Sequence, residues 1–174
     1  MVLWLIGLSG AGKTVIGLEV YAQLKARRAN VVFLDGDHIR AIMGNDLGYS
    51  LEDRRANALR VCRLCQFLDG QGIDVVCAIL SIFHETQEWN RRNYSKYFEV
   101  YIDVPKSVLL QRDQKGLYGG ALAGRISNVV GIDIPFTPPI APDLIIHNDD
   151  SGVSPRALAD EILAAMDARF VETK

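Results

Sequence analysis

A glycine-rich segment near the start of the chain has the residue types and spacing of a phosphate-binding loop. Residues 7–14 fit the pattern G-x-x-x-x-G-K-[ST] at every position. Glycines let the backbone wrap a phosphate with its N–H groups pointing inward, and a helix beginning there adds partial positive charge. We expect Lys13 to reach the β- and γ-phosphates of ATP and Thr14 to hold Mg²⁺. The predicted loop residues are Gly7, Leu8, Ser9, Gly10, Ala11, Gly12, Lys13 and Thr14. The alternative is a glycine-rich turn that binds nothing.

Two carboxylates follow the next apolar run of the chain. Asp35 and Asp37 lie two residues apart, separated by Gly36. One such carboxylate can bind Mg²⁺-coordinated water while the other orients or deprotonates an acceptor hydroxyl. An acidic turn is the alternative, because Asp and Gly both favour turns.

Several arginines and one asparagine follow these carboxylates in the sequence. Arg54 and Asn57 are three residues apart and so share one face of a predicted helix. Together with Arg40 they would form a local pocket for an anion or nucleotide, since guanidinium groups match phosphate and sulfate oxygens. A solvated charged face is the alternative, and it would suit Arg55 equally well.

The elements that must position these residues alternate along the chain. Apolar runs rich in Val and Ile predict strands at 2–8, 31–34, 74–80, 98–104 and 144–147. Helical patterns occupy 13–28, 53–68, about 85–94, about 107–112 and a final segment that starts at Pro155 with Ser154 as N-cap. This order predicts an α/β fold of three layers, with a five-stranded, mostly parallel sheet. Ligands bind at the carboxyl ends of such strands, where the polar residues above lie.

A long segment rich in glycine and proline and a C-x-x-C pair are two further candidate functional features. Residues 116–142 hold five glycines and four prolines without clear periodicity, which indicates a lid over approximately 114–140. Cys62 and Cys65 form a C-x-x-C pair inside a helical pattern. With three cysteines in all and no second pair, we interpret them as helix packing rather than a redox or metal site.

Composition limits the possible partners. The length of 174 residues predicts one domain spanning 1–174, and the net charge of −2 gives no general attraction to nucleic acid or anionic membranes. The apolar N-terminus lacks the basic region and cleavage site of a signal peptide, and no apolar run approaches the length of a membrane span. We therefore expect a cytoplasmic protein with no nucleic-acid or membrane partner.

Taken together, these motifs resemble the adenylylsulfate (APS) kinase family, within the P-loop kinases. The likeness rests on the glycine-rich loop, on residues 35–40, 48–57 and Ser81, on Arg-Asp-Gln-Lys-Gly-Leu-Tyr at 112–118, and on Gly-Ile-Asp at 131–133. It spans nearly the whole chain in the same order. It implies transfer of a phosphoryl group from ATP to adenylyl sulfate, giving ADP and 3′-phosphoadenylyl sulfate, and family members are often homodimers.

The resemblance also implies roles for individual residues. Asp35 and Asp37 match the family's metal and general-base pair, and Tyr49 matches an aromatic residue that stacks on the substrate adenine. Ser81 matches a serine described as a phosphoserine intermediate, although P-loop kinases usually transfer in line and directly. The implied catalytic residues are Lys13, Asp35, Asp37 and Ser81. Arg112 joins the ATP-binding set, and the acceptor-binding set is Asp37, Arg40, Tyr49, Arg54, Asn57, Ser81, Ile82, Lys115 and Leu117.

The chain departs from the family on the acceptor side. Ile82 follows Ser81 where the family has proline, and Val129 stands where the family has a second aromatic residue that stacks on adenine. Such stacking is worth about 1–3 kcal/mol. A different nucleotide diester, such as cytidine diphosphoramidate, is therefore a second candidate acceptor. A kinase for a sugar or other small metabolite, of the gluconate or shikimate type, and a nucleotide-binding module without catalysis are further alternatives.

Overall fold

A parallel β-sheet runs through the centre of the molecule. The computed structural model describes residues 1–113, 115–149 and 152–171. Its strands are β1 (Val2–Ile6), β2 (Val31–Asp35), β3 (Asp74–Ile79), β4 (Tyr97–Asp103) and β5 (Leu144–His147). They lie in the order β2-β3-β1-β4-β5, and every strand pairing is parallel. The predicted five-stranded α/β fold is therefore confirmed.

Helices connect these strands. They are α1 (Lys13–Arg27), α2 (Gly36–Ile42), α3 (Leu51–Gly70), α4 (His84–Asn93), α5 (Lys106–Arg112), α6 (Leu117–Leu122) and α7 (Pro155–Phe170). Two of the longer helices begin at side-chain caps: Ser50 Oγ accepts from the Asp53 backbone N–H, and Ser154 Oγ accepts from that of Ala157. None of the helices within the described residues combines the length and apolarity that crossing a membrane requires.

Alternate side chains of β1 enter two separate hydrophobic clusters. Leu3 and Leu5 join the cluster that includes residues of α1 and α7, whereas Trp4 and Ile6 join the cluster that includes residues of α3. Because both faces of the sheet are covered, its strands are apolar at successive positions instead of alternating. The three-layer architecture follows from this double covering.

The cysteines belong to the second of these clusters. Cys62, Cys65 and Cys77 are free thiols and all three are buried, beside Trp4 and Tyr94. Burial raises the pKa of the Cys62 thiol to about 12. The thiols thus act as small apolar groups, which confirms the packing interpretation.

Two short helices, α2 and α6, were not predicted from the sequence. Helix α2 begins at Gly36, where an acidic turn was one of the alternatives, because Asp35 Oδ1 caps it by accepting from the Asp37 backbone N–H at 2.9 Å. Helix α6 lies inside the segment without periodicity, and the Asp113 carboxylate accepts from the first backbone N–H groups of its opening turn. In each helix a carboxylate accepts from backbone N–H groups of the first turn, although only Asp35 is itself an N-cap.

Candidate active site

The glycine-rich loop leaves the carboxyl end of β1, the strand at the centre of the sheet order. The strand ends at Ile6, two residues earlier than predicted, and the loop then runs to Lys13, the first residue of α1. Gly10 and Gly12 have φ values of 78° and 91°, a left-handed conformation that side chains rarely adopt. The loop therefore wraps back on itself and opens at the N-terminus of α1, where partial positive charge favours an anion.

Lys13 lies folded over this loop. Its ammonium group donates to the Leu8 carbonyl oxygen at 2.8 Å. Burial lowers the pKa of Lys13 to about 8, while the nearby carboxylates of Asp35 and Asp37 oppose that shift. A lysine desolvated in this way gains free energy from a close anion, so the position suits the β- and γ-phosphates of a nucleotide.

Thr14, Asp35 and Asp37 are linked by hydrogen bonds. The Thr14 hydroxyl donates to Asp35 Oδ2 at 2.7 Å, and Asp35 Oδ1 accepts from the Asp37 backbone N–H. Asp35 is buried, whereas the side chain of Asp37 is 64% exposed. The two carboxylates at this strand end thus differ sharply in solvent exposure. Only that of Asp37 is open to contact with a bound acceptor.

Lys115 forms an ion pair with Asp37. The two residues are 78 positions apart in sequence, and Lys115 lies between α5 and α6, at the start of the predicted lid. This contact raises the pKa of Lys115. It also brings the segment after α5 over the end of β2. Gln114, the first residue of the predicted lid, lies outside the described residues.

Arg40, Tyr49 and Arg54 form a cationic and aromatic cluster beside the carboxylates. The guanidinium carbon of Arg40 lies 4.6 Å from the centre of the Tyr49 ring, and that of Arg54 lies 5.3 Å from it. Arg54 donates from Nε to the Tyr49 carbonyl at 2.9 Å and from a terminal nitrogen to the Asn128 carbonyl at 2.7 Å. Burial and the neighbouring Arg40 lower the pKa of Arg54. Tyr49 remains 55% exposed.

Ser81 and Asn57 contribute buried polar atoms. Within the described part of the chain, Ser81 Oγ and Asn57 Oδ1 are buried and have no hydrogen-bond partner. Unpartnered buried groups are costly, so each needs an explanation, and binding a ligand is one. Ile82 and Leu117 are half-buried, and Leu117 packs against the cluster that includes α1 and α7.

Arg112 holds the glycine-rich loop from outside. Its guanidinium donates to the Gly10 carbonyl at 3.4 Å and to the Asn148 carbonyl at 3.0 Å. Sequence reasoning missed Asn148 and Tyr118, which also touch this loop: Asn148 Nδ2 donates to the Ala11 carbonyl at 3.0 Å, and the Tyr118 hydroxyl donates to that of Ser9 at 2.8 Å. A signal for Asn148 existed, because it follows the last strand at the carboxyl edge of the sheet.

Comparisons with known proteins agree with this geometry. The sequence model described as adenylylsulphate kinase matches residues 1–147. The chain belongs to the adenylylsulphate kinase family. It is 44% identical to the cytidine diphosphoramidate kinase of Campylobacter jejuni over 147 residues, covering 84% of this chain and 85% of that protein. It is 39% identical to the adenylyl-sulfate kinase of Halothermothrix orenii over 154 residues, covering 88% and 83%.

One solved structure supports the same family, and a second shares the fold. The Mycobacterium tuberculosis APS kinase, determined in complex with AMPPNP and APS, superposes with a TM-score of 0.86 at 32% identity, covering 95% of this chain and 96% of that one. A Sinorhizobium meliloti gluconokinase, at 16% identity and a TM-score of 0.63, shares the fold alone and covers 98% of this chain and 93% of its own. The chain is therefore an ATP-dependent kinase of the adenylylsulphate kinase family. The alternative of a module without catalysis has no support, and the gluconate or shikimate type is supported at the level of the fold alone.

Proposed function

We propose that this kinase transfers the γ-phosphoryl group of ATP to a ribose hydroxyl of a small nucleotide diester, with a cytidine diphosphoramidate-type acceptor preferred over adenylyl sulfate. The observation that carries the preference is Val129. At the position of the family's second adenine-stacking aromatic residue, the chain has a valine that is 6% exposed and packed in a hydrophobic cluster. A buried aliphatic side chain offers no face on which a purine can stack, whereas a one-ring base needs less stacking surface.

Identity to named relatives supports the same choice. The relative named for cytidine diphosphoramidate is 44% identical, compared with 39% for that named for adenylyl sulfate. Adenylyl sulfate remains the second candidate, because the superposed APS kinase was determined in complex with APS and its fold agrees closely with this one. Both acceptors carry an anionic anhydride next to a ribose, so the same pocket chemistry applies to each.

The ATP side of the proposed mechanism depends on the glycine-rich loop. Backbone N–H groups of residues 7–14 would surround the β- and γ-phosphates, and Lys13 would replace its contact with the Leu8 carbonyl by one to a phosphate oxygen. Arg112 is the remaining proposed ATP contact, and it already donates a hydrogen bond to the Gly10 carbonyl of the loop. These groups hold the triphosphate in line with an acceptor that lies over Asp37.

The oxygen atoms beside the loop fit Mg²⁺. Thr14 Oγ1 and Asp35 Oδ2 lie 2.7 Å apart, and Mg²⁺ favours oxygen ligands, usually one or two from the protein together with phosphate oxygens and waters. We propose that Thr14 and Asp35 hold the ion. Bound Mg²⁺ supplies neutralisation of the phosphate charge.

Asp37 is the proposed general base. The acceptor hydroxyl oxygen forms a bond to the γ-phosphorus as the bond between that phosphorus and the bridging oxygen of ADP breaks, and the hydroxyl proton passes to the Asp37 carboxylate. Lys115, the ion-pair partner of Asp37, would orient that carboxylate before the transfer. We expect no covalent step at Ser81; its buried hydroxyl would instead hydrogen-bond a ligand oxygen.

The acceptor pocket is proposed to lie between α2, α3 and the lid. Arg40 and Arg54, which lie over the Tyr49 ring, would bind the anhydride oxygens, and the exposed Tyr49 would stack on the base. Asn57, which has an unpartnered buried oxygen, would accept a hydrogen bond from the ribose or base. The wall of this pocket would be completed by Ile82, Leu117 and Lys115.

A coupled assay of ADP release tests the proposal. The protein with Mg-ATP would be given cytidine diphosphoramidate, adenylyl sulfate, gluconate or no acceptor. We expect kcat/KM for cytidine diphosphoramidate to exceed that for adenylyl sulfate, by at most the worth of one stacking partner, which is about 5- to 150-fold. Tyr49→Ala should raise the KM for the acceptor, and Tyr49→Phe, which keeps the ring, should not. A higher kcat/KM with adenylyl sulfate would make that compound the acceptor.

We propose a single domain over 1–174, a cytoplasmic location and a homodimer. The Thiobacillus denitrificans protein described as a hexameric APS kinase shares the fold, at 21% identity and a TM-score of 0.71, over 97% of this chain and 29% of that longer one. Sedimentation at several protein concentrations would test the dimer directly.

A further inference from the structure

Asn148 joins three parts of the molecule at the edge of the nucleotide site. It is the first residue after β5, and its backbone N–H donates to the Asp103 carbonyl at the end of β4, at 3.0 Å. Its backbone is thereby fixed at the carboxyl edge of the sheet. From there its side chain reaches sideways to the glycine-rich loop rather than outward to solvent.

The side-chain amide of Asn148 controls one peptide group of that loop. Its Nδ2 donates to the Ala11 carbonyl at 3.0 Å, and a Cβ added to Gly12 would come within 2.7 Å of the same nitrogen. In a trans peptide the C=O and the following N–H point in opposite directions. Because the Ala11 carbonyl faces Asn148, the Gly12 N–H must face away from Asn148.

The backbone carbonyl of Asn148 is linked to the glycine-rich loop through Arg112. That guanidinium, on the last residue of α5, donates both to the Asn148 carbonyl and to the Gly10 carbonyl. Asn148 and Arg112 therefore hold two successive carbonyl groups of the loop, those of Gly10 and Ala11. Arg112 also lies two residues before the predicted lid, so the loop and the base of the lid share these contacts.

We propose that Asn148 is a positioning residue for ATP: it orients the Gly12 N–H of the phosphate-binding loop without contacting the nucleotide base. The proposal rests on ATP use, and it holds whichever acceptor the enzyme phosphorylates. A structural role alone would lower stability without a selective effect on ATP. A role in reading the base would alter the preference between ATP and GTP.

The test compares Asn148→Asp with wild type in steady-state kinetics. The aspartate has nearly the same shape but sets a carboxylate oxygen against the Ala11 carbonyl, so we expect the KM for ATP to rise about tenfold or more. The KM for GTP should rise by the same factor, and the KM for the acceptor should change by less than about twofold. Asn148→Ala, which removes the donor without adding charge, should give a smaller rise of about fivefold.

The matched control is Asn30→Asp. Asn30 also donates its amide to a loop carbonyl, that of Gly72, but at the opposite end of the sheet. The Asn30→Asp variant should leave the KM for ATP and the KM for the acceptor unchanged. Thermal unfolding of each variant would confirm that the proteins compared are folded. An unchanged KM for ATP in folded Asn148→Asp and Asn148→Ala would overturn the proposal. So would a change in the ratio of the KM values for ATP and GTP, because the residue would then contact the base.

Discussion

Replacing Asp37 by Asn should remove most of the turnover while leaving the fold and ATP binding intact. The carboxylate is 64% exposed, and its side-chain contact is the ion pair with Lys115, itself 60% exposed. An ion pair this accessible contributes at most about 1 kcal/mol to folding. The contact that helps to form α2, from the Asp37 backbone N–H to Asp35, survives the substitution. The free energy of unfolding should therefore change little.

The loss in rate should be far larger than this change in stability. A positioned general base contributes about 10²- to 10⁴-fold, and an amide cannot accept the proton of the acceptor hydroxyl at neutral pH. We expect kcat to fall by about that factor, with the KM for ATP within about twofold of wild type. The assay is ADP release at saturating ATP and acceptor, alongside urea unfolding of both proteins.

A second exposed carboxylate provides the control for this experiment. Asp46 lies on the loop after α2 and forms an ion pair with Arg60 at 2.8 Å. Asp46→Asn removes a comparable surface ion pair near the site without touching the proposed base, so kcat should remain near that of wild type. If folded Asp37→Asn kept more than about a tenth of wild-type kcat, Asp37 would not be the general base.

Three further predictions concern the pocket, the buried charge and the core. Arg54→Lys should raise the KM for the acceptor about tenfold and spare that for ATP in the same assay, because a lysine cannot reach both the Tyr49 carbonyl and the Asn128 carbonyl. Burial raises the pKa of Glu99 above its usual value, so its contribution to stability falls as pH rises through the folded pKa. The free energy of unfolding of Glu99→Gln relative to wild type should therefore rise as the pH is raised from the unfolded pKa of glutamate through the folded one, measured by urea unfolding. Ile162→Ala, at a fully buried position of α7, should cost about 2–5 kcal/mol in the same measurement, and a cost below about 1 kcal/mol would contradict the described core.

The sheet and the nucleotide loop could be predicted because their signals are local. Each strand is a short apolar run, and both ends of β5 agree with the prediction. The end of β1 was less accurate, since Gly7 and Leu8 are apolar enough to extend the pattern although they belong to the loop. The strand order was not predicted, because it depends on contacts between distant segments.

The contacts of the site that were missed have no local signal, even where the position of a residue, such as Asn148 after the last strand, could be read from the sequence. Helix α2 depends on a cap formed by Asp35, and a sequence pattern of Asp and Gly fits a turn equally well. The contact of Lys115 with Asp37 and that of Asn148 with Ala11 join residues 78 and 137 positions apart. Only the packing of the helices around the sheet brings such residues together. The family resemblance identified Lys115 as a site residue, but the sequence could not show that Asp37 is its partner.

A competition between the two candidate acceptors tests the central claim most directly. Cytidine diphosphoramidate and adenylyl sulfate would be mixed at equal concentration with limiting Mg-ATP, and the two phosphorylated products would be quantified by mass spectrometry. The ratio of products equals the ratio of the two kcat/KM values. We predict an excess of the phosphorylated cytidine compound, because a buried Val129 leaves Tyr49 without a second aromatic partner and a purine loses more stacking surface than a pyrimidine does. An excess of phosphorylated adenylyl sulfate would contradict the claim.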